Sequence, residues 1–311
     1  MKHSAQVATI AVLLVINFVI YSKLLLEFNL LPKSAGRLGL VGFFDFSKSF
    51  SFNFQDPKLA RIIRQKLDGQ VGEYAIVVKG LSSGSKLHYS LNEKKVLPSG
   101  SLYKLFLMAA TLKQVEEGKL REDQVLTSSI NHLKDVLGFE EFGYDSSEGD
   151  EISYSVSDAL TRVATLSDNY ASILLAEKVG WDNIQKQANM IGAESTTIKD
   201  PISTNASDIT LFFEKLYKKE IVSEKTSEKL IELLSSSRLN NRIPAKLPKD
   251  IKIAHKTAEL SKLRHDAGIV FLDNEPYLIV LMSSNVKYED EAVELLADIS
   301  KEVFDYFSKT R

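Results

Sequence analysis

The strongest constraint on the fold of this chain is a helical segment that is apolar on every side. From residue 101 to residue 115 the apolar side chains surround the helix axis instead of forming one stripe. That pattern is typical of a helix enclosed by protein, so this helix is predicted to run through the core of a domain. It nevertheless carries a charged residue, Lys104, near its start.

Lys104 follows Ser101 by three positions, which places both side chains on the same face of a helix. Burial favours the neutral amine of a lysine, and a neutral lysine can act as a base toward a serine hydroxyl. The helix N-terminus adds backbone N–H groups where an oxyanion would develop. In the alternative interpretation Ser99 or Ser101 is an N-cap and Lys104 extends to the surface. The Ser-x-x-Lys spacing alone is weak evidence for a catalytic pair, because residues 83–86 show the same spacing in a Gly/Ser turn.

Composition limits the functions open to this chain. With 311 residues, 44% of them hydrophobic, it can form one large domain or two modest ones. A net charge of -2 gives no indication of a nucleic-acid partner. The absence of cysteine excludes disulfides and thiolate metal sites. We predict no cofactor and no metal, since no ligand-spaced pair occurs among His3, His88, His132, His255 and His265.

The N-terminus predicts a membrane anchor. The run from Val7 to Tyr21 contains no charged residue, and with the apolar residues beyond it reaches the roughly 20 residues that span a bilayer. We assign residues 1–28 to an uncleaved single-pass anchor and residues 29–54 to a stalk, with the remaining chain outside the cytoplasm. A cleaved signal peptide is the alternative, but no convincing small-x-small site lies just after the run. A second alternative is that this run forms a buried core helix.

The chain before and after the central helix follows different patterns. Before it, we predict a helix from Pro57 to residue 67 and a strand hairpin at residues 73–79 and 87–91. Directly after it, the chain is predicted to be helical and irregular. Further helices are predicted at residues 155–165, 170–179, 181–192, 206–218 and 223–235.

Beyond Pro248 the pattern returns to strands. They are predicted at residues 251–257, 267–272 and 277–283, and an amphipathic helix follows at 289–307.

Strands from both ends of the chain can share one antiparallel sheet. The predicted fold class is therefore α/β, more closely α+β, with an antiparallel sheet flanked by helices plus an all-helical subdomain. We assign residues 55–311 to one domain, with its α/β part at 55–98 and 236–311 and its helical part at 99–235.

Two further motifs accompany Ser101 and Lys104. Ser167-Asp168-Asn169 lies between two predicted helices, and Lys256-Thr257-Ala258 lies on a predicted strand. In this order the three motifs resemble those of the class A β-lactamase and penicillin-binding-protein superfamily of serine hydrolases. The resemblance extends from about residue 60 to residue 307, and it implies the fold of that superfamily.

The resemblance also implies roles for four catalytic residues. Ser101 would attack an amide carbonyl and form an acyl-enzyme, while Lys104 holds or removes its proton. Ser167 would pass a proton to the leaving nitrogen, and Lys256 would lower the cost of charge beside it.

Four further residues are implied to bind the substrate. Asn169 would position Lys104 and the substrate amide, and Thr257 would hold a substrate carboxylate together with Lys256. Ala258 would lie along the substrate, and the backbone N–H of Glu259 would complete the oxyanion hole with that of Ser101. We expect Asp168 to brace its turn by bonding backbone N–H groups.

The sequence departs from the family pattern at two places. Ala258 replaces the usual glycine, and its Cβ is expected to crowd a substrate. Residues 198–208 lack the Glu-x-x-Asn signature, whose glutamate activates the water that frees the acyl-enzyme in class A β-lactamases. The nearest carboxylates are Asp200 and Asp208, and Asp208 is expected in the first turn of the following helix. Losing a general base costs about 100- to 10,000-fold, so deacylation is predicted to be impaired.

Three functions follow from these observations. The first is a membrane-anchored, extracytoplasmic serine hydrolase that forms an acyl-enzyme with β-lactams or cell-wall peptides through Ser101. The second is a penicillin-binding D-alanyl-D-alanine peptidase or transpeptidase, suggested by the missing glutamate and the anchor. The third is a catalytically silent surface-binding module, suggested by the two departures.

Overall fold

The computed structural model describes residues 55–138, 151–199 and 201–309. The predicted anchor and stalk lie outside the described residues. Within those ranges, no helix has the length and apolar character needed to cross a membrane. In chain order the elements are α1 (Pro57–Leu67), β1 (Glu73–Gly80), β2 (His88–Leu91), β3 (Leu97–Pro98), a 3-10 turn (Gly100–Tyr103), α2 (Lys104–Glu116), β4 (Val125–Ser129), α3 (Ile130–Leu137), β5 (Glu151–Ser155), α4 (Val156–Thr165), α5 (Asn169–Val179), α6 (Trp181–Ile191), β6 (Ser203–Thr204), α7 (Ala206–Tyr217), α8 (Glu224–Ser235), β7 (Ile253–Leu260), β8 (Leu263–Val270), β9 (Tyr277–Ser284) and α9 (Glu289–Ser308).

The predicted fold class is confirmed by a five-stranded antiparallel sheet. Its strand order is β2-β1-β9-β8-β7, so strands from both ends of the chain meet in its centre. Successive residues of β1 enter opposite cores: Val77 packs with the helical part of the chain, while Ile76 packs with α1 and α9. Strand β7 is at one edge of the sheet, and it contacts α8 and the 3-10 turn of the helical part.

Helix α2 is the buried helix that the sequence predicts. Every residue from Lys104 to Leu112 is buried, and Phe106 packs edge-on against Phe212 of α7 with ring centroids 5.5 Å apart. Burial of each Leu, Phe or Met side chain in this helix contributes about 1.5–3 kcal/mol to stability. The helix contacts α5, α6 and α8, so it fixes the start of the first motif relative to the rest of the helical part.

Two strand predictions differ from the structure. The stretch predicted to be irregular and helical contains a short antiparallel ribbon, in which Leu126 of β4 pairs with Tyr154 of β5. Each strand of this ribbon buries a single apolar residue, so the alternation is too weak to detect in the sequence. Strand β8 begins at Leu263, four residues before the predicted start. Its first half contains the polar residues His265 and Asp266. Both are buried, and each has a hydrogen-bond partner in another strand.

His265 connects the sheet to the strand that precedes the first motif. The backbone N–H of Ser283 donates to its Nδ1, and its Nε2 lies 3.0 Å from the carbonyl oxygen of Pro98 in β3. With Nδ1 accepting, Nε2 carries the hydrogen and donates to Pro98, which fixes the neutral form of the ring. Burial lowers the pKa of His265 from 6.5 to about 4.

We expect His265 to make the fold sensitive to acid. Between pH 6.5 and pH 4 the unfolded chain binds a proton at this histidine and the folded chain does not, so stability falls as the pH decreases. A shift of this size corresponds to about 3 kcal/mol. Urea unfolding at several pH values should show a shallower acid slope for His265→Gln than for the wild type. The control is His132→Gln, on the surface. Parallel profiles for wild type and His265→Gln would contradict the expectation.

Candidate active site

The first motif lies on a turn that is packed tightly against strand β7. Gly100 has a φ of 49°, and a Cβ on it would lie 3.0 Å from the Cβ of Ala258. A glycine is therefore required both for the backbone conformation and for the space. Ser99, which precedes the turn, makes no capping bond through its hydroxyl. Ser101 lines the cleft that opens beside this turn.

Lys104 is completely buried and joins the first motif to the second. Its Nζ donates to the carbonyl oxygen of Ser167 at 2.6 Å and to Oδ1 of Asn169 at 2.7 Å. The side chain has no exposed surface, so the interpretation in which it extends to the surface is wrong. The buried amine is instead positioned within the second motif, one helical turn from Ser101.

Ser167 joins the second motif to the third. Its φ of 57° lies in the left-handed region, which a non-glycine residue adopts at a cost on the order of 1 kcal/mol. Its carbonyl oxygen accepts from Lys104, while its Oγ accepts from Nζ of Lys256 at 2.7 Å. The two lysines thus bind two different oxygens of one serine. Strained residues of this kind cluster at functional sites.

Lys256 is buried beneath the cleft with its amine held in place. Its Nζ also donates to the carbonyl oxygen of Thr257 at 2.9 Å. Burial first, and then the positive charge of Lys104, hold the pKa of Lys256 well below its ordinary value. A lysine in that environment releases its proton more readily, which suits a group that exchanges protons with a neighbouring hydroxyl.

The second motif is braced as expected from its sequence. Asp168 accepts from the backbone N–H of Ala171 at 2.8 Å and pairs with Arg162 at 3.0 Å. The first contact caps α5, so the prediction that Asp168 bonds backbone N–H groups is confirmed. This cap fixes the start of α5, where Asn169 presents its side chain to Lys104.

The cleft has a volume of about 1100 Å³, and six of the eight predicted site residues line it, while Lys104 and Lys256 are buried and do not. Its polar lining includes Ser101, Ser167, Asn169, Thr257 and Glu259. Its walls are apolar and include Val136, Leu137, Leu166, Ile173, Trp181, Ile198, Ile202, Leu239 and Leu260. A molecule that fits here would place a polar group at the centre and apolar groups against the walls.

Ala258 also lines the cleft but is only 2% exposed. Its methyl group packs against Gly100, where the missing side chain of the glycine provides the space. Much of the surface of that methyl group is therefore covered by the turn that carries Ser101. The Cβ of Ala258 therefore restricts the space at Gly100 before it restricts the space for a substrate.

The carboxylates near residues 198–208 have different surroundings. Asp208 lies in the first turn of α7, as predicted, and accepts from the backbone N–H of Ser195 and from Thr196 Oγ1. Burial raises its pKa. Because its carboxylate accepts these two hydrogen bonds, Asp208 stabilises the chain before β6. Asp200 lies outside the described residues.

Sequence reasoning missed a group of buried polar residues behind β7. The ring of His255 lies between Asp266, at 2.9 Å, and Oδ1 of Asn240, at 3.0 Å. Asp266 also accepts from the backbone N–H of Ile243 at 2.9 Å, which fixes the loop that carries Arg242. Nothing in the spacing of these residues signals the arrangement. Among the described residues, no group of three His, Asp or Glu side chains is placed to hold a metal ion.

Residues 58–307 match the model of the beta-lactamase enzyme family. The chain belongs to this family. The predicted resemblance is thus confirmed, and the chain is a beta-lactamase-like member of the serine hydrolases. A relative is the extended-spectrum beta-lactamase PER-1 of Pseudomonas aeruginosa, which is 26% identical over an aligned length of 299 residues; the match covers 88% of this chain and 94% of PER-1.

Solved structures of beta-lactamase-like proteins share the fold. The structure of PBP-A aligns with a TM-score of 0.73 and 24% identity, over 82% of this chain and 98% of PBP-A. A beta-lactamase from Sphaerobacter thermophilus aligns with a TM-score of 0.72 and 16% identity, over 81% of this chain and 97% of that one. At these identities the likeness shows the fold alone.

Proposed function

We propose that this beta-lactamase family member is a serine hydrolase that forms an acyl-enzyme with β-lactams through Ser101. The observation that carries the proposal is the position of Ser167. It is held between Lys104 and Lys256, in the wall of the cleft that Ser101 also lines. In this proposal Ser101 is the nucleophile, Lys104 and Lys256 are two buried amines and Ser167 is the hydroxyl that relays a proton, all contributed by three distant segments of the chain.

In the proposed reaction every proton that moves has a donor and an acceptor among these groups and the substrate. Lys104 in its neutral form takes the proton of Ser101 as Oγ attacks the carbonyl carbon, and the backbone N–H groups of Ser101 and Glu259 stabilise the oxyanion. When the C–N bond breaks, Ser167 gives its hydroxyl proton to the leaving nitrogen. Lys256 replaces that proton, since its Nζ already donates to Ser167 Oγ at 2.7 Å.

The walls of the cleft favour a substrate with an apolar substituent. Leu166 and Leu260 line the cleft and are 41% and 48% exposed, so a bound apolar group would remove their surface from water. A solved complex of a PBP-A variant is an acyl-enzyme with penicillin G, whose phenyl group has this character. Penicillin G is therefore the probe that we choose for this chain.

The same proposal includes slow release of the acyl group. The sequence of residues 198–208 contains no glutamate, and Asp208 is turned toward Ser195 and Thr196. A penicillin-binding D-alanyl-D-alanine peptidase is the second candidate, and this missing glutamate favours it. We further propose that residues 1–28 anchor the protein in the cell membrane with its cleft outside the cytoplasm, where cell-wall peptides and β-lactams would reach it.

A time course of intact mass tests this function. We expect full-length protein mixed with penicillin G to gain the mass of one penicillin within minutes. Loss of that mass should be about 100- to 10,000-fold slower than in an enzyme with a positioned general base. Many turnovers without an accumulating adduct would show a true β-lactamase, and release of D-alanine from a D-alanyl-D-alanine peptide would support the second candidate. If no adduct forms and no penicillin G is consumed, the chain is not an acylating enzyme.

A further inference from the structure

A buried arginine lies behind the end of the cleft where β7 carries Lys256 and Thr257. Arg242 has no exposed surface, and its Nη2 donates to Oε1 of Glu259. Its Nε and Nη1 are buried and have no hydrogen-bond partner among the described residues. A guanidinium is always charged and binds carboxylates strongly. Arg242 does not itself line the cleft, but it is in contact with Glu259, which does, and it has hydrogen-bonding capacity that Glu259 leaves unused.

Glu259 places a carboxylate between that cation and the cleft. Its side chain is 54% exposed and lines the cleft, while its carboxylate contacts the buried guanidinium. Its charge also reaches the site: the carboxylate of Glu259 tends to raise the pKa of Lys256, and the guanidinium of Arg242 tends to lower it. The two charges therefore act on the same catalytic lysine in opposite directions.

We propose that Glu259 is a specificity-determining residue, whose carboxylate holds the cationic end of the cleft and disfavours acyl donors with a carboxylate at that end. Acyl donors with an uncharged ester or carboxamide in that position are favoured, which departs from the substrate carboxylate that the resemblance implies at Thr257 and Lys256. The proposal rests on the proposed acyl transfer by Ser101. It concerns the side chain of Glu259, whereas the oxyanion role involves only its backbone N–H.

Like-charge repulsion is the physical reason for this preference. Thr257 and Glu259 are two positions apart on β7 and both line the cleft, so the carboxylate of Glu259 would repel a substrate carboxylate bound at Thr257. That substrate carboxylate would also have to displace Glu259 to reach Arg242. Displacing Glu259 breaks a charge-assisted hydrogen bond, which is worth about 1.5–3 kcal/mol. Gln at position 259 keeps an oxygen acceptor for Arg242 but removes the competing charge.

The test compares two probes with the same reactive ring. Penicillin G carries a carboxylate, and its methyl ester does not. Acylation rate constants for both probes are measured by intact mass for the wild type and for Glu259→Gln. We expect the rate ratio of acid to ester to rise about tenfold in Glu259→Gln, as for the loss of one charge-assisted contact. The matched control is Glu289→Gln, which alters another Glu–Arg pair, on Arg264, away from the cleft.

The outcomes separate this inference from the proposed function. If both probes acylate the wild type but the ratio in Glu259→Gln is unchanged, Glu259 is only a structural partner of Arg242 and the inference is overturned. A rise of the same size in Glu289→Gln would also overturn it. If neither probe acylates the wild type, the proposed function itself has failed. Thermal unfolding of each variant shows whether it is folded.

Discussion

Ser101→Ala is expected to lose all covalent labelling by penicillin G. The substitution removes the only atom that we propose to attack the carbonyl, and a methyl group in its place forms no ester. Lys104, Ser167 and Lys256 keep their hydrogen bonds, because none of those contacts involves the Ser101 hydroxyl. The expected loss is therefore chemical and not a consequence of unfolding. Intact mass spectrometry after an hour with penicillin G measures it.

The chain provides a matched control for this experiment. Residues 83–86 repeat the serine and lysine spacing of the first motif, but they lie in an exposed turn between β1 and β2. Ser83→Ala should label like the wild type. Equal labelling of Ser101→Ala and the wild type would show that another group is the nucleophile.

Lys104→Met is expected to reduce the rate of acylation about 1000-fold, within the range for loss of a general base. Methionine has a similar volume, so helix α2 stays filled, but it cannot accept the proton of Ser101 or donate to Ser167 and Asn169. The carbonyl of Ser167 then loses a partner at a strained position. Quenched-flow labelling with penicillin G measures the rate.

Lys113→Met is the control for the lysine substitution. It makes the same change in the same helix, at a position that pairs with Glu117 on the surface. Labelling by this variant should match the wild type. Circular dichroism establishes that both variants fold, and a folded Lys104→Met that labels at the wild-type rate would contradict a role for Lys104 as the base.

The parts of the site that follow from local sequence were predictable. The capping residue Ser155 and the turn at Asp168 each act through neighbours in the chain. Such contacts depend on helix geometry, which a sequence pattern specifies. The convergence of three motifs was predictable only through the resemblance, since Ser167 and Lys256 are 89 residues apart.

The environment of Arg242 was not predictable. One arginine in a loop has no pattern around it, and its burial depends on Glu259, on Asp266 through Ile243, and on the sheet behind them. The start of β8 was missed for a related reason. Its polar residues are stabilised by partners in other strands, and such long-range contacts leave no periodic signal.

The most direct test of the account is to locate the acyl group. After a short incubation with penicillin G, the full-length protein is digested and the modified peptide is sequenced by tandem mass spectrometry. We predict that the added mass is on the peptide containing Ser101 and that fragmentation assigns it to that residue. A modification located on any other residue, or an unmodified Ser101 in protein that has reacted, would contradict the account.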